Sequence, residues 1–537
     1  MTKPKGPAPG SKQQLSEDDH HLASFGYRQE MVRTLGSFST FATGFAFISI
    51  LTGMFMLFGF VYGTGGPASI WAWIAATVGQ LLFALAFAEL SVKYPLAGSV
   101  YNWTKHISGH GVAWVAGVSM ILALITSAAA VALTMQSILP AISSVFWLYG
   151  NGNGPNDANM NAVILGTIMV VGTTVVSLAG AKVRSFINNL GVTVELVASV
   201  ALVIGLLLHA KHGVSVVFET NGTAVGTPGG YLGVLLVCVL LGLMIMWGFD
   251  TAGSVGEETI NPRKTSPRAI IRALVASGIF GGLLILTASM ALPNLKDPNI
   301  ANLGLAYVLQ TVFGKTVGDI ILIAAAVAVF VCGLANQIGA VNMMFAMARD
   351  NALPASESLA RIASGAKTPI IPNILVAVLA IAILVINVSQ PQIILVVTSD
   401  CVIFALVSYA MVAGSFTLAR ITGRWSLPEK GYFTLGRWGG LVSGAAFLWA
   451  VLMTINVAWP RDAIYNPAAP FHWYLKWGGV YVPLGALLIC FVLYLTRYRA
   501  RIGRLASHSV HAFSSVAVEA ESSLNIAGPV AGGARDV

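Results

Sequence analysis

Two carboxylic acids stand within long apolar stretches of the sequence, where a carboxyl group can bind a proton or a cation. Glu195 lies in "NNLGVTVELVASVALVIGLLL", about 9 Å along the predicted helix at a rise of 1.5 Å per residue. Asp250 directly follows the apolar run from Tyr231 to Phe249. Because an ionisable side chain is costly in apolar surroundings, each of these acids is a candidate functional residue.

The depth of Glu195 favours a proton-binding role. Its short side chain does not easily reach water from that position, and burial disfavours the charged carboxylate. Proton binding coupled to a transport step is the favoured interpretation. The alternative is a carboxyl group that only hydrogen-bonds a neighbouring helix.

Asp250 lies either at the end of a helix or in the middle of a broken one. The run 231–249 is long enough to cross a bilayer core of ~30 Å, so Asp250 can mark the cytoplasmic exit of a helix. However, the small residues "TAGSVG" that follow suit an unwound segment or close packing better than a solvated loop. The border then lies near Glu257 and Glu258, and the span 231–258 is broken in its middle.

A similar cluster of small residues stands in the first apolar run. "FAFISILTGMFMLFGF" places Ser49, Thr52 and Gly53 at mid-membrane depth, where they either pack a helix or break it. Clusters in spans one and six, five spans apart, predict an inverted repeat with discontinuous helices around a central site. Such breaks expose backbone N–H and C=O groups, which together suit a small zwitterion.

The composition places these runs in a membrane. The chain has 537 residues, 56% hydrophobic and 9% charged, whereas soluble domains average roughly 45–50% and 25%. We therefore predict an all-α membrane protein whose apolar runs approach the ~20 residues that a spanning helix needs. The twelve runs lie at about 39–63, 67–91, 111–138, 161–180, 189–210, 231–258, 268–292, 317–346, 371–389, 392–416, 434–458 and 474–496.

Positive charge is distributed unevenly between the two sides of this bundle. With the N-terminus inside, the inner segments hold 25 of the 30 Lys and Arg residues, which predicts a multi-pass protein of the plasma (cytoplasmic) membrane with both termini cytoplasmic. The excess charge is therefore topological and argues against nucleic acid as a partner. Glu89 ends span two beside Lys93, which favours an ion pair between these two residues at the inner face.

The predicted organisation is one transporter domain between two tails. A cytoplasmic tail over 1–38 precedes the domain at 39–496, whose repeats cover about 39–210 and 231–416, with helices 11 and 12 at about 434–496. The tail 497–537 is polar and predicts disorder. The four cysteines lack the close spacing of metal or redox sites, so we expect no cofactor and no metal. A membrane-embedded enzyme is disfavoured, because none of the nine histidines lies mid-span.

Three motifs resemble those of the amino acid-polyamine-organocation permeases. "GFDTAGSVGEETINPRKTSPRAI" (248–270) resembles the sixth-helix region, with an acid before a small-residue break and then an N-P-x-x-x-x-P loop. "AELSVKYPLAGSVYNW" (88–103) looks like the second-helix exit, and "FAMARDNALP" (345–354) is similar to the eighth-helix exit. The three motifs occur in the family's order, and the resemblance covers about 35–500.

The resemblance implies the leucine-transporter-type fold of five plus five inverted repeats, alternating access, and secondary active transport. The substrate then lies between the breaks of helices 1 and 6, in contact with Ser49, Ile50, Leu51, Thr52, Gly53, Trp247, Gly248, Phe249 and Asp250. Glu195 falls where several relatives have a lysine linked to proton coupling and where sodium-driven members hold the ion. The coupling ion is therefore predicted to be a proton, with sodium as the alternative.

One departure from the family pattern bears on the substrate. Leu51 replaces the first glycine of the G-S-G motif, and the region is closer to the branch that includes γ-aminobutyrate (GABA), choline and polyamine permeases. An amino acid or related amine such as GABA is the predicted substrate. A choline, ethanolamine or polyamine permease is the alternative, favoured if Asp250 and nearby aromatic residues face a cation.

Overall fold

The computed structural model describes residues 33–154, 156–362, 368–386, 388, 393–465 and 471–502. Within these ranges the chain forms helices and no β-strand. Most of the predicted N-terminal tail and of the predicted disordered C-terminal tail lies outside the described residues. The helices are α1 (Ser37–Ile48), α2 (Ile50–Gly65), α3 (Ile70–Lys93), α4 (Ser99–Ser108), α5 (His110–Leu133), α6 (Met135–Ile142), α7 (Asp157–Leu178), α8 (Ala181–Leu208), α9 (Gly230–Ile245), α10 (Thr251–Ser254), α11 (Pro262–Ala291), α12 (Pro298–Arg349), α13 (Ser356–Leu359), α14 (Ile370–Ile386), α15 (Ile393–Ile421), α16 (Gly439–Ala458), α17 (Asp462–Tyr465), α18 (Trp473–Lys476) and α19 (Gly478–Leu493).

Most of the longer helices are long and apolar enough to cross a bilayer. The described residues contain ten such segments, and the two shorter apolar helices α9 and α14 lie at the predicted sixth and ninth spans. The protein is therefore a multi-pass helical membrane protein. The count of twelve spans and the five-plus-five repeat stay predictions.

The first segment is the centre of the bundle. In Ser37–Gly65, 94% of the most apolar stretch is buried, compared with 17% in Gly478–Tyr498 at the periphery. The halves α1 and α2 pack against α8, α9, α11 and α12. A helix enclosed by other helices has no lipid-facing side, so it can carry polar groups and irregular backbone that lipid would not tolerate.

The chain leaves helical geometry at both small-residue clusters. Ser49, between α1 and α2, has a φ of 33°, which is unusual for a residue with a side chain. Helix α9 ends at Ile245, and Gly248 then has a φ of 77° before α10 begins at Thr251. A Cβ atom on Gly248 would lie 1.9 Å from the ring of Phe47, so this backbone position requires glycine.

Buried ion pairs close one end of the bundle beneath α10. Arg349 Nη2 donates to Glu257 Oε1 at 2.8 Å, and Arg184 Nη2 donates to Glu258 Oε2 at 3.2 Å. The carbonyl of Glu258 also accepts the backbone N–H groups of Thr34 and Leu35, both at 2.9 Å. The start of α1 is thereby tied to the segment that follows α10.

Glu89 fixes the loop between α15 and α16. It accepts hydrogen bonds from Arg420 Nη2 at 2.5 Å, from Trp425 Nε1 at 3.1 Å and from the backbone N–H of Leu435 at 3.0 Å. The ion pair that the described residues show for Glu89 is with Arg420 and not with the predicted Lys93, whose Nζ donates to Ser426. A fully buried carboxylate needs several donors, and one Lys at the helix end does not supply them.

We predict that Glu89→Gln destabilises the fold by about 3–5 kcal/mol, since it leaves a buried Arg420 guanidinium without its counter-ion. Thermal unfolding in detergent, followed by size-exclusion chromatography, measures this loss. Glu219→Gln removes an exposed carboxylate and is the matched control, with an unchanged midpoint expected. Equal midpoints for the two variants would contradict the structural role of Glu89.

Candidate functional site

A narrow cavity lies between the two breaks. Its volume is about 10 Å³, roughly the room that one water molecule occupies. The walls come from both broken spans and from α5 and α12. They consist of Phe47, Ile48, Thr52, Gly53, Met56, Ser127, Val131, Met244, Ile245, Trp247 and Cys332.

The cavity walls carry no charged side chain among the described residues. Their polar side-chain groups are the hydroxyls of Thr52 and Ser127, the thiol of Cys332 and the indole N–H of Trp247. The ring of Phe47 meets that of Trp247 edge to face at 4.9 Å between centroids. A charged ligand here must therefore be held by backbone dipoles and by the ring faces.

The cavity is too small for an amino acid in this conformation. Ile245 fills the space beside Gly53 so closely that a Cβ atom there would lie 2.0 Å from Ile245 Cγ1. An amino acid fits between the two broken helices only if one of them moves relative to the other. The glycine allows the close contact, and the break at Ser49 gives the chain a place to bend.

Glu195 reaches the first break from α8. Its side chain is 1% exposed, and its Oε1 accepts hydrogen bonds from Ser49 Oγ at 2.9 Å and from the backbone N–H of Leu51 at 3.2 Å. The carboxyl group thus takes a backbone donor that the break has freed from the helix.

Two hydroxyl groups connect Glu195 to the cavity. Ser49 Oγ and Thr52 Oγ1 lie 2.6 Å apart. Because a hydroxyl has one proton and that of Ser49 points at Glu195, Thr52 donates to Ser49. A hydrogen-bonded chain therefore runs from Thr52, in the cavity wall, through Ser49 to the buried carboxyl group.

Glu195 has no cationic partner among the described residues. No Lys, Arg or His side chain there lies within ion-pair distance of it, and its Oε2 accepts no hydrogen bond. An unpaired carboxylate is costly at full burial, and protonation or a bound cation removes that cost. The geometry suits a carboxyl group that gains and loses a positive ion.

Asp250 is held differently. Its Oδ2 accepts from Ser99 Oγ at 2.7 Å, and its Oδ1 accepts from the Tyr409 hydroxyl at 2.5 Å. The same Tyr409 oxygen accepts the backbone N–H of Gly248 at 2.9 Å. Asp250 therefore fixes the second break through α15 and the start of α4, and it is not part of the cavity wall.

The predicted site residues fall into three groups. Thr52, Gly53 and Trp247 line the cavity. Ser49 and Leu51 contact Glu195, at distances given above. The others are buried outside the walls, where Phe249 packs on Phe87 and Tyr409; this last group is Ile50, Gly248, Phe249 and Asp250.

Several wall residues were not singled out from the sequence. Phe47 and Ile48 directly precede the first break, and Met244 and Ile245 directly precede the second, so adjacency to a break was a usable signal. Ser127 and Cys332 come from α5 and α12, and nothing in their local sequence separates them from packing residues. Ser99, which binds Asp250, follows the "PLAG" turn and also carried no local signal.

Two broken helices around a narrow central cavity are the arrangement expected of a membrane transporter. The family model described as "Amino acid permease" matches residues 35–493, so the chain belongs to the amino acid permease family. This agrees with the predicted resemblance and with transport of amino acids or related amines across a membrane.

Named relatives cover most of the chain. Amino-acid permease BAT1 of Arabidopsis thaliana is 28% identical over 83% of this chain and 91% of that protein. The methylthioribose transporter of Bacillus subtilis is 29% identical over 64% and 72%, and the GABA-specific permease of Saccharomyces cerevisiae is 25% identical over 83% and 79%. The names of these three relatives refer to different solutes.

We predict that Tyr409→Phe destabilises the protein by about 1.5–3 kcal/mol, because Asp250 and the Gly248 N–H both lose a buried partner. The midpoint of thermal unfolding in detergent measures the effect. Tyr307→Phe is the matched control, since its hydroxyl donates to Asp297 in the largely exposed turn before α12, where water replaces it. A control that loses as much stability as Tyr409→Phe would contradict a special role at the break.

Proposed function

We propose that this permease is a secondary active transporter that moves an amino acid or related amine together with a proton by alternating access. The observation that carries the proposal is the hydrogen-bonded chain from Thr52 through Ser49 to Glu195. It connects the cavity wall to a titratable group without a charged intermediate. Substrate in the cavity and the proton on Glu195 therefore act on the same break.

The coupling step follows from the contacts of Glu195. When protonated, the carboxyl group is neutral and can donate a hydrogen bond from one oxygen while the other accepts from Ser49 and Leu51. When the carboxyl group releases the proton, the resulting charge strengthens its hydrogen bonds with Ser49 and Leu51. Because that charge is buried, it favours a conformation in which Glu195 is closer to water. The proton thereby biases the position of α2 relative to α8. Sodium is the alternative ion, with Glu195 and the two hydroxyls as oxygen ligands.

A small zwitterion suits the cavity. Once the helices move apart, we expect backbone N–H groups at the first break to receive a carboxylate and C=O groups at the second break to receive an ammonium. In this conformation several of them are occupied: the Leu51 N–H by Glu195, and the Gly248 carbonyl by the Thr251 N–H. The similarity to the GABA-specific permease supports an amino acid with separated charges. Within this proposal Asp250 is a positioning residue that keeps the second break in shape, since both its oxygens already accept hydrogen bonds.

The runner-up substrate is a quaternary or primary amine such as choline or ethanolamine. The ring pair of Phe47 and Trp247 in the cavity wall favours it, because aromatic faces attract such cations. Polyamines fit less well, since the described walls hold no carboxylate to pair with their charges.

The proposal includes twelve spans in five-plus-five inverted repeats and cytoplasmic termini in the plasma membrane. Ion pairs from Glu257 and Glu258 then lie at the cytoplasmic side and close the path beneath the cavity. Opening inward requires these pairs to separate. Because the start of α1 is bonded to the segment after α10, the two inner halves move together.

We expect Glu195→Gln to abolish substrate accumulation driven by a proton gradient while substrate exchange continues. Glutamine preserves the hydrogen bonds at the break but does not exchange a proton. Proteoliposomes with an imposed pH gradient measure accumulation, and counterflow of labelled substrate measures exchange. Glu195→Asp keeps a carboxyl group and should restore part of the accumulation.

Asp400→Asn is the matched control, because Asp400 is also a buried carboxyl group in the spans but does not contact either break. Its proton-driven accumulation should equal that of the parent protein. Normal accumulation by Glu195→Gln, or accumulation that follows a sodium gradient instead, would exclude Glu195 as the proton site.

Competition identifies the substrate class. We expect unlabelled GABA and other small amino acids to inhibit uptake, and choline and ethanolamine to have little effect, because only zwitterions use both breaks. Trp247→Leu tests the runner-up substrate class. Because it removes the ring face, it should weaken the binding of an amine much more than that of an amino acid. Uptake that choline inhibits and GABA does not would reverse the assignment.

A further inference from the structure

A second cavity, about 250 Å³ in volume, lies at the charged end of the bundle, away from the transport site. We propose that it binds the anionic headgroup of a phospholipid from the adjacent leaflet. This basic pocket is formed by the first turns of α11 and by the loop between α15 and α16. Its lining residues are Arg263, Lys264, Pro267, Arg268, Gly431, Tyr432 and Phe433.

The three cations of the basic pocket have different surroundings. Arg263 is buried, donates to the carbonyl of Val92, pairs with Glu429 at 3.4 Å and stacks on Tyr432 at 4.1 Å. Lys264 and Arg268 are exposed, and in the part of the chain that the structure describes no carboxylate lies within ion-pair distance of either. Arg263 therefore builds the wall, while the other two are available to an external anion.

Along α11, charged residues are followed by apolar residues, as the headgroup of a phospholipid is followed by its acyl chains. Lys264, Arg268 and Arg272 are exposed at intervals of four residues, and the same face continues with the exposed Val275 and Ile279. A phosphate near the first turns thus has acyl chains beside the following apolar residues. A soluble anion would use only the first part of this face.

The length of α11 places the basic pocket at headgroup depth. Its 30 residues extend about 45 Å at 1.5 Å per residue, whereas the hydrocarbon core is ~30 Å thick. The helix is therefore longer than the core by about 15 Å in total, or just under three turns. Cations in the projecting turns lie where lipid phosphates lie, and anionic lipids attract them there.

The opposite wall of the pocket is fixed. Glu89 accepts hydrogen bonds from both ends of the loop that carries Tyr432, through Trp425 and the backbone N–H of Leu435. Tyr432 in turn lies 5.7 Å from Lys264 Nζ, measured to the ring centroid. Basic residues that only set the orientation of the protein in the membrane would not need a fixed wall beside them. The fixed wall beside two available cations indicates a binding site.

Native mass spectrometry of the full chain in detergent tests the proposal, with dioleoyl phosphatidylglycerol and dioleoyl phosphatidylcholine as probes. We expect phosphatidylglycerol to bind more tightly than phosphatidylcholine. Lys264→Gln with Arg268→Gln should weaken phosphatidylglycerol binding about 30-fold, on the basis of the usual contribution of two basic residues near an anionic surface. Binding of phosphatidylcholine should not change.

Two controls keep the result interpretable. Arg497→Gln with Arg499→Gln removes the same charge after α19, which packs on α5 and α15, and should leave binding unchanged. The exchange Lys264→Arg with Arg268→Lys keeps the charge and should retain binding, which separates charge from folding. Equal losses in the 264/268 and 497/499 glutamine variants, no loss in either, or displacement of the lipid by inorganic phosphate would overturn the proposal.

Discussion

A helix that is broken inside a bilayer frees backbone N–H and C=O groups, and lipid offers them no partner. In this protein a side chain from another helix takes a freed N–H at each break. Glu195 of α8 accepts that of Leu51, and Tyr409 of α15 accepts that of Gly248. These two acceptors give the freed N–H groups partners inside the bundle. Helices α8 and α15 stand at the predicted fifth and tenth spans, so each break is stabilised by the last helix of its own predicted repeat, which supports the inverted-repeat proposal.

The sequence was sufficient to predict the parts of the structure that depend on local composition. Apolar runs predicted a helical membrane protein, and small residues clustered at the two positions where the chain leaves helical geometry. Glu195 could be singled out because a carboxyl group in the middle of an apolar run is rare. Each of these signals lies within about twenty residues of the feature it predicts.

Contacts between distant residues could not be predicted in this way. The partner of Asp250, Tyr409, is 159 positions away, and that of Glu89, Arg420, is 331 positions away. Lys93 is nearer to Glu89 in the sequence. Packing of α15 against α3 and α16 brings Arg420 to Glu89 instead. Likewise, Ser127 and Cys332 face the cavity because of how α5 and α12 are rotated, which small differences in packing determine.

Glu195 and Asp250 have similar chemistry, depth and position beside a break, yet their contacts give them different roles. Both oxygens of Asp250 accept hydrogen bonds, from Ser99 and from Tyr409, so Asp250 connects the second break to α4 and α15. Glu195 uses one oxygen for the break and leaves the other without a partner. In the proposed mechanism Glu195 therefore has an oxygen that can take up a proton or a cation, whereas both oxygens of Asp250 are already occupied. We therefore propose that Glu195 carries the coupled ion while Asp250 keeps the opposite break in shape.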